Sequence, residues 1–327
     1  MKQEFSIPKL MNRCQSEADA YELLEELRWN GQPVCPHCGS IGQHYFLKPK
    51  DGSSVRKTRT GSLSQRRVWK CRDCRKQFSV LTGTIFHGSK ISIRTWVLVV
   101  LEMCASKNGV AAREIERKYE LTNKTAWFML HRIREAMKGD PLGGLLRGTV
   151  VADETFIGGN PGNNIGKSRT GGKPSWARTD KTAVLALVDR ESGEVRSRVV
   201  PDVTGPTLRK AIAEHVDMAN TDLQTDAHQS YVSIASEFRS HKSVNHDRGE
   251  YVAKDGTSTN PAESYFSQLK RSIDGTHHHV SKEHLARYLA QFDFMRTWCE
   301  TDDSDRMRGL LQQVAGRRLT YKPLTDS

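Results

Sequence analysis

Residues 148–156, GTVVADETF, decide the fold of this chain. The apolar run GTVVA reads as a buried strand, and Asp153 follows it where an unpaired carboxylate would be costly. The adjacent Glu154 faces the opposite side, because successive strand side chains alternate. Working outward, TAVLALVDR and EVRSRVVPDV read as two more strands joined by the turn ESG. TGPTLRKAIAEHV is a helix, DLQTDA a short strand and KSVNH another, before the helices NPAESYFSQLKRSI and SKEHLARYLAQFDFMRTWCE. That order makes everything from residue 149 onward α/β. The loop NPGNNIGKSRTGGKPSWARTD (160–180) is long and rich in glycine and cations, so it is either functional or disordered.

Three acids punctuate this half. Asp226 ends DLQTDA, 73 residues after Asp153, and Glu263 follows 37 later in NPAESYFSQLK. Lys270 stands seven residues beyond Glu263, nearly two helical turns, so both share one helix face. Singly, each acid has an ordinary explanation. Asp153 ends a strand, Asp226 can cap the following turn, and 260–263 reads as N-cap, N1, N2 and N3, close to a capping box. Jointly they predict a cluster of like charges on two strands and a helix, tolerable only with cations. Mg²⁺ accepts carboxylate oxygens readily, and two such ions about 4 Å apart serve phosphoryl transfer.

The first half carries a different signal. Cys35-Pro-His-Cys38-Gly and Cys71-Arg-Asp-Cys74 are two knuckles whose spacing lets four thiolates reach one zinc ion. Gly39 suits the tight turn behind the second thiolate. His37, His44 and His87 lie nearby and read as surface or packing histidines. Cys14, Cys104 and Cys299 stand alone, and Cys104 sits in an apolar helical run. SEADAYELLEELRWN (16–30) reads as an amphipathic helix capped by Ser16. Residues 90–138 look helical, broken at KNG and ELTN. Within them, 110–137 has helix-turn-helix shape, with Ile115, Tyr119 and Leu121 facing Trp127, Leu130 and Ile133. Asn123 is the expected cap of its second helix. Lys124, His131, Arg132 and Arg134 give that helix a basic start and face.

Fifty Lys and Arg against 38 Asp and Glu leave a net charge of +12, which favours a polyanionic partner. The N-terminus has no apolar core of a secretory signal, and the longest apolar run, 96–105, is about half a membrane span. The expectation is a cytoplasmic, nucleoid-associated protein with no membrane partner.

CPHCG, WKCRDCRKQFSVLTGTIF, VADETFIGG, TDAHQSY, NPAESYFSQLKRSIDGTHHHVSKEHLARYL and FDFMRTW together resemble bacterial insertion-sequence transposases of the DDE type. The ISXO2-like members, which begin with a zinc ribbon, are the nearer match, over roughly residues 15–300. The resemblance implies an α/β, RNase H-like mixed-sheet core over 148–300. Ahead of it stand an N-terminal helix (1–30), a zinc ribbon (31–88) and a helix-turn-helix-like DNA-binding region (89–140); a C-terminal tail (301–327) follows. It implies structural Zn²⁺ on Cys35, Cys38, Cys71 and Cys74, and two Mg²⁺ or Mn²⁺ ions on Asp153, Asp226 and Glu263. Family members are described with an asparagine in the acidic signature, and Asn260 is the assisting or capping residue beside Glu263. Expected DNA contacts are Lys124, Arg132, Arg134, the loop cations Lys167, Arg169, Lys173 and Arg178, then Lys270, Arg271, His278 and His279. The implied activity is binding of terminal inverted repeats, cleavage of transposon ends and joining of the 3′-hydroxyl to target DNA, by a homodimer or larger assembly. A zinc-ribbon regulator with an inactive core, or a purely hydrolytic nuclease, are the alternatives.

Overall fold

Ser6 and Ser16 each accept a backbone N–H from three residues on, and so begin α1 (Ile7–Arg13) and α2 (Glu17–Trp29). Asp19 returns the bond to the Ser16 N–H at 2.7 Å, completing a capping box. The structure, a computed structural model, describes residues 4–48, 55–57, 61, 63–139, 143–158, 181–245 and 252–321. It divides into two units, Met1–Met137 with Glu300–Asp326, and Lys138–Cys299.

In the first unit, β1 (His44–Phe46), a short pair β2 (Arg56–Lys57) and β3 (Leu63–Ser64), β4 (Trp69–Cys71) and β5 (Gln77–Phe78) build the cysteine-bearing region. β1, β4 and β5 form one antiparallel sheet. α2 packs against it through Trp29, whose ring meets Trp69 edge-on at 6.1 Å and Phe78 at 5.9 Å. Glu25 accepts from Trp69 Nε1 at 2.8 Å and from Arg67 Nε at 2.9 Å. Then come α3 (Ile93–Ala105), α4 (Ala112–Lys118) and α5 (Asn123–Ala136). The expected αα-hairpin is present, with Ile115, Leu130 and Ile133 buried. Its second helix is capped one residue earlier than expected. Thr122 accepts from the Thr125 N–H at 3.3 Å, while the Asn123 carboxamide donates to Glu116.

The second unit is a five-stranded mixed sheet in the order β10-β9-β6-β7-β8. β6 (Leu146–Ile157), β7 (Thr182–Asp189) and β8 (Val195–Val200) are antiparallel neighbours. α6 (Gly205–Ala213) crosses over to β9 (Val216–Asp226), which lies parallel to β6. β9 is longer than DLQTDA suggested: the helix stops at Ala213, and the strand absorbs Val216 and the polar residues after it. α7 (Gln229–Val232) and β10 (Ser240–Val244), parallel to β9, follow. α8 (Asn260–Ser272) and α9 (Lys282–Thr297) cover one face, where Val151, Ile157, Val184 and Ala186 meet Ala262, Tyr265, Phe266 and Leu269. The other face buries Val150, Ala152 and Leu223 against Leu208, Ile212 and Tyr231.

Residues 301–327 were expected to be a tail. Instead α10 (Asp303–Gln312) forms there, capped by Asp302, and buries Met307, Leu310 and Leu311. It ties the chain's two ends together, with Ser304 Oγ accepting from the Phe5 N–H at 2.8 Å.

Candidate active site and cysteine cluster

Asp153 and Asp226 owe their positions to the register of β6 and β9. Thr149 pairs with Asp222, Val150 with Leu223 and Val151 with Gln224, each 73 residues apart. The ladder stops at that last pair, and Asp153 and Asp226 each follow it by two residues, at the same 73-residue offset. Residues two apart share a face. Asp153 therefore lies on the face of Val151 and Ile157, where α8 packs. Asp226 lies on the same face, since Leu223 belongs to the opposite one. Asp226 Oδ1 also accepts the His228 N–H at 3.0 Å, which turns the chain out of the strand.

Glu154 points through the sheet to the other face, as alternation requires, and its Oε1 accepts the hydroxyl of Tyr231. Burial pushes the Glu154 carboxyl up to about 8. The Tyr231 bond opposes that shift, while Asp153 and then Asp226 add to it. Tyr231 is fully buried, and burial holds its phenol un-ionised.

α8 is anchored beside Asp226. Gln224 Oε1 accepts from Arg190 at 2.9 Å and from the Ser258 N–H at 3.3 Å. Arg190 also donates to the Gly256 carbonyl at 2.9 Å. The buried run 257–259 then leads into the helix. Thr259, rather than Asn260, is the N-cap, so Asn260 is the first helical residue. Glu263 thereby falls one place beyond the N3 position that a capping box needs, and its Oε1 accepts from the Thr259 hydroxyl at 2.9 Å. The α8 residues in the core are Ala262, Tyr265, Phe266 and Leu269, which leaves Asn260, Glu263 and Lys270 exposed. Gln224, Arg190 and Tyr231 were missed by sequence reasoning. Gln224 alone left a trace, standing two residues before Asp226 on the same strand face.

Lys270 and Arg271 are exposed in the last turn of α8. A π-type turn, Ile273–His277, follows. His277 leaves the histidine run to pack on Tyr288 at 4.8 Å, whereas His278 and His279 are exposed. Lys167, Arg169, Lys173 and Arg178 lie outside the described residues. The basic face expected on α5 is corrected by burial. Arg132 is 4% exposed and Arg134 1%, while His131 is buried against Trp127. Arg132 donates to the His87 carbonyl at 2.6 Å and lies over the Trp96 and Phe128 rings. These guanidinium groups serve the interior of their unit, and Lys124 is the cation that α5 leaves exposed.

Cys35, Cys38, Cys71 and Cys74 bring their sulfurs within 4.8 Å of one another. The Cys35–Cys74 and Cys38–Cys71 separations are both 3.7 Å. A tetrahedral zinc ion with bonds of about 2.3 Å needs an S···S edge of about 3.8 Å. The four thiols fit. Gly39 follows the first knuckle at φ +77°, the left-handed turn that glycine favours, and Arg75 takes the same place in the second at φ +61°. Burial pushes the Cys71 thiol up, but the Ser40 hydroxyl and the backbone N–H groups of Cys74 and Asp73 outweigh it and bring it to about 6. His37, His44 and His87 stay outside the cluster. Among the described residues, no other group of three or more His, Cys, Asp or Glu side chains closes to this distance, the acidic set included. A two-ion site does not demand that closure, because its carboxylates are spread over ions about 3.5–4 Å apart.

No helix among the described residues is long and apolar enough to cross a membrane. Residues 145–297 match the family model of the ISXO2-like transposase domain, and residues 15–77 that of the transposase zinc-ribbon domain. Over 305 residues the chain is 27% identical to an uncharacterized protein in transposable element ISH50 of Halobacterium salinarum, covering 91% of this chain and 96% of that relative. A chain in the cryo-EM structure of the simian T-cell lymphotropic virus intasome with PP2A regulatory subunit B56 gamma overlaps 58% of this chain and 66% of its own. Its identity is 15% and its TM-score 0.25, too low to bear on this fold.

Proposed function

Because the chain belongs to the ISXO2-like transposase family and carries the transposase zinc ribbon ahead of that domain, we propose that it cleaves the ends of an insertion sequence and joins the freed 3′-hydroxyls to target DNA. Asp153, Asp226 and Glu263 would hold two Mg²⁺ or Mn²⁺ ions, with Asn260 assisting from the first turn of α8. What supports this reading is that Asp153 and Asp226 fall on one face of β6 and β9, just past the end of the ladder that joins those strands. Bound there, divalent cations supply Lewis-acid activation of a water or a 3′-hydroxyl and charge stabilisation at the leaving oxygen. Cleavage and joining are both in-line displacements at phosphorus, so one site serves both without a covalent enzyme intermediate. Lys270 and Arg271 would hold the DNA backbone, and His278 and His279 would help to orient it. Cys35, Cys38, Cys71 and Cys74 hold a structural Zn²⁺ that supplies the stability of a ribbon too small to fold by itself. The protein acts on inverted-repeat ends and target DNA in the cytoplasm, as at least two copies, since two ends must be brought together.

Strand transfer in vitro tests this. The full-length protein is given precut duplexes carrying the inverted repeats that flank its gene, Mg²⁺ or Mn²⁺, and a plasmid target. Joined product is expected from the native protein and none from Asp153→Ala. Cleavage of uncut ends with no joining would leave a hydrolytic nuclease. End binding with no chemistry would leave a DNA-binding regulator.

A further inference from the structure

The two aspartates are backed, on the far face of the sheet, by a contact that none of the expected site residues makes. Glu154 directly follows Asp153, and Tyr231 comes five residues after Asp226. Their side chains meet beneath the sheet, Tyr231 Oη donating to Glu154 Oε1. Tyr231 cannot shift easily. Its ring is fully buried among Leu208, Ile212, Ile234 and Phe238, and the preceding Ser230 hydroxyl donates to the Val203 carbonyl at 2.6 Å. Between Tyr231 and Asp226 the chain is a tight turn, closed by the His228 N–H on Asp226 Oδ1. The result is a ring of constraints: Asp153 to Glu154 by the chain, Glu154 to Tyr231 by the hydrogen bond, Tyr231 to Asp226 by the turn, and Asp226 back to Asp153 through the β6–β9 ladder, which ends two residues before each. The β10 ladder holds Asp226 opposite Val244, while the β6–β9 ladder stops at Gln224 and leaves Asp226 unpaired on the side of Asp153. The Glu154–Tyr231 contact supplies the missing restraint.

We propose that Glu154 and Tyr231 are a positioning pair which fixes the separation of Asp153 and Asp226, and through it the affinity of the acidic set for divalent cations. This rests on the reading of those acids as metal ligands. Glu154 touches no substrate in this scheme; it acts through its neighbour.

The test is an EPR titration of Mn²⁺ into the full-length, zinc-loaded protein, well below its melting temperature. It compares the native chain with Tyr231→Phe, Glu154→Gln and Asp153→Asn. Tyr231→Phe keeps the buried ring and removes only the hydroxyl. It is expected to weaken Mn²⁺ binding about tenfold, the usual scale for losing an outer-shell partner. Glu154→Gln still offers an oxygen to Tyr231 and should bind Mn²⁺ nearly as the native protein does. A residue that merely filled the core would shift the melting temperature and leave the affinity alone. If Tyr231→Phe binds within twofold of native while Asp153→Asn abolishes binding, the positioning pair is wrong and the acidic site stands. If Asp153→Asn binds as the native chain does, the acidic site itself falls and the pair with it. Should Tyr231→Phe fail to fold, Glu154→Leu, which removes the acceptor at similar size, is read against the same thresholds.

Discussion

Asp153 and Asp226 lie on one face of neighbouring parallel strands, each two residues past the last paired residues Val151 and Gln224, and their 73-residue separation equals the register offset of β6 and β9. Strands about 4.8 Å apart then bring two like charges near one another. In metal-free buffer, Asp153→Asn should therefore raise stability by at most about 1 kcal/mol, read as a higher urea midpoint at unchanged slope. In the presence of Mg²⁺ the same variant should lose about 10²–10³-fold or more in strand transfer. A variant both less stable without metal and fully active would contradict the assignment.

Removing zinc should be felt first at Trp29 and Trp69. Trp69 lies on β4, the strand that also carries Cys71, and α2 docks on it through Trp29. A chelator that strips the metal is expected to shift their emission to the red as the ribbon loosens. Cys71→Ser should give the shifted spectrum with no chelator added. Stoichiometric zinc loss with an unchanged spectrum would rule out a structural role for the ion.

Asp293 on α9 is a buried carboxylate with a pH signature. Its Oδ1 accepts the Tyr265 hydroxyl at 2.6 Å and the Ser197 hydroxyl at 2.7 Å, and its Oδ2 accepts the Ser197 N–H at 2.9 Å. Burial pushes it up from 3.8 to about 6, against the pull of those bonds. The folded state thus holds a proton that the unfolded chain releases. Stability contributed by this group is highest below pH about 4 and declines as pH rises toward 6, by about 3 kcal/mol in all. Asp293→Asn imitates the protonated form and lacks this dependence. Between pH 7 and pH 4, the native protein should gain about 2 kcal/mol relative to the variant in denaturant unfolding. A difference that stays flat with pH would mean that Asp293 titrates normally.

The parts of this architecture legible in the sequence are those fixed by local chemistry. Alternation around Asp153 located β6 and sent Glu154 to the opposite face, the Cys-x-x-Cys pairs located the ribbon, and Ser16 marked the start of α2. What was missed depends on tertiary context. Val216 to Thr221 join a strand because β6 offers a ladder to pair with, against a composition that favours turn or helix. Helix caps slipped by one residue, from Asn123 to Thr122 and from Asn260 to Thr259, since threonine and asparagine compete for the same role and the following proline or lysine does not decide between them. α10 buries Met307, Leu310 and Leu311 and bonds to groups about two hundred residues or more away in the chain, Arg306 donating to the Cys104 carbonyl and Ser304 accepting the Phe5 N–H, so its partners lie beyond any local sequence window.

Arg132 and Lys124 lie two turns apart on α5, and their environments predict opposite phenotypes. A basic residue on a helix reads as a DNA contact from sequence, but a guanidinium that is 4% exposed and bonded to the His87 carbonyl is part of the core. Burial pulls the Arg132 pKa down to about 10, which still leaves it charged at neutral pH. Arg132→Ala removes a charge-assisted hydrogen bond and two cation–π contacts, so it should destabilise its unit by about 3 kcal/mol. The salt dependence of DNA binding by whatever protein remains folded should not change. Lys124 is exposed, with Nζ 4.4 Å from the Tyr321 ring centroid. Lys124→Ala should cost at most about 1 kcal/mol of stability, yet lower the slope of log K against log salt by about 1, as loss of one phosphate contact does. Thermal melts paired with binding titrations at several salt concentrations separate the two. If Arg132→Ala melted normally but lost the salt slope, the buried guanidinium would have to leave its pocket to meet DNA.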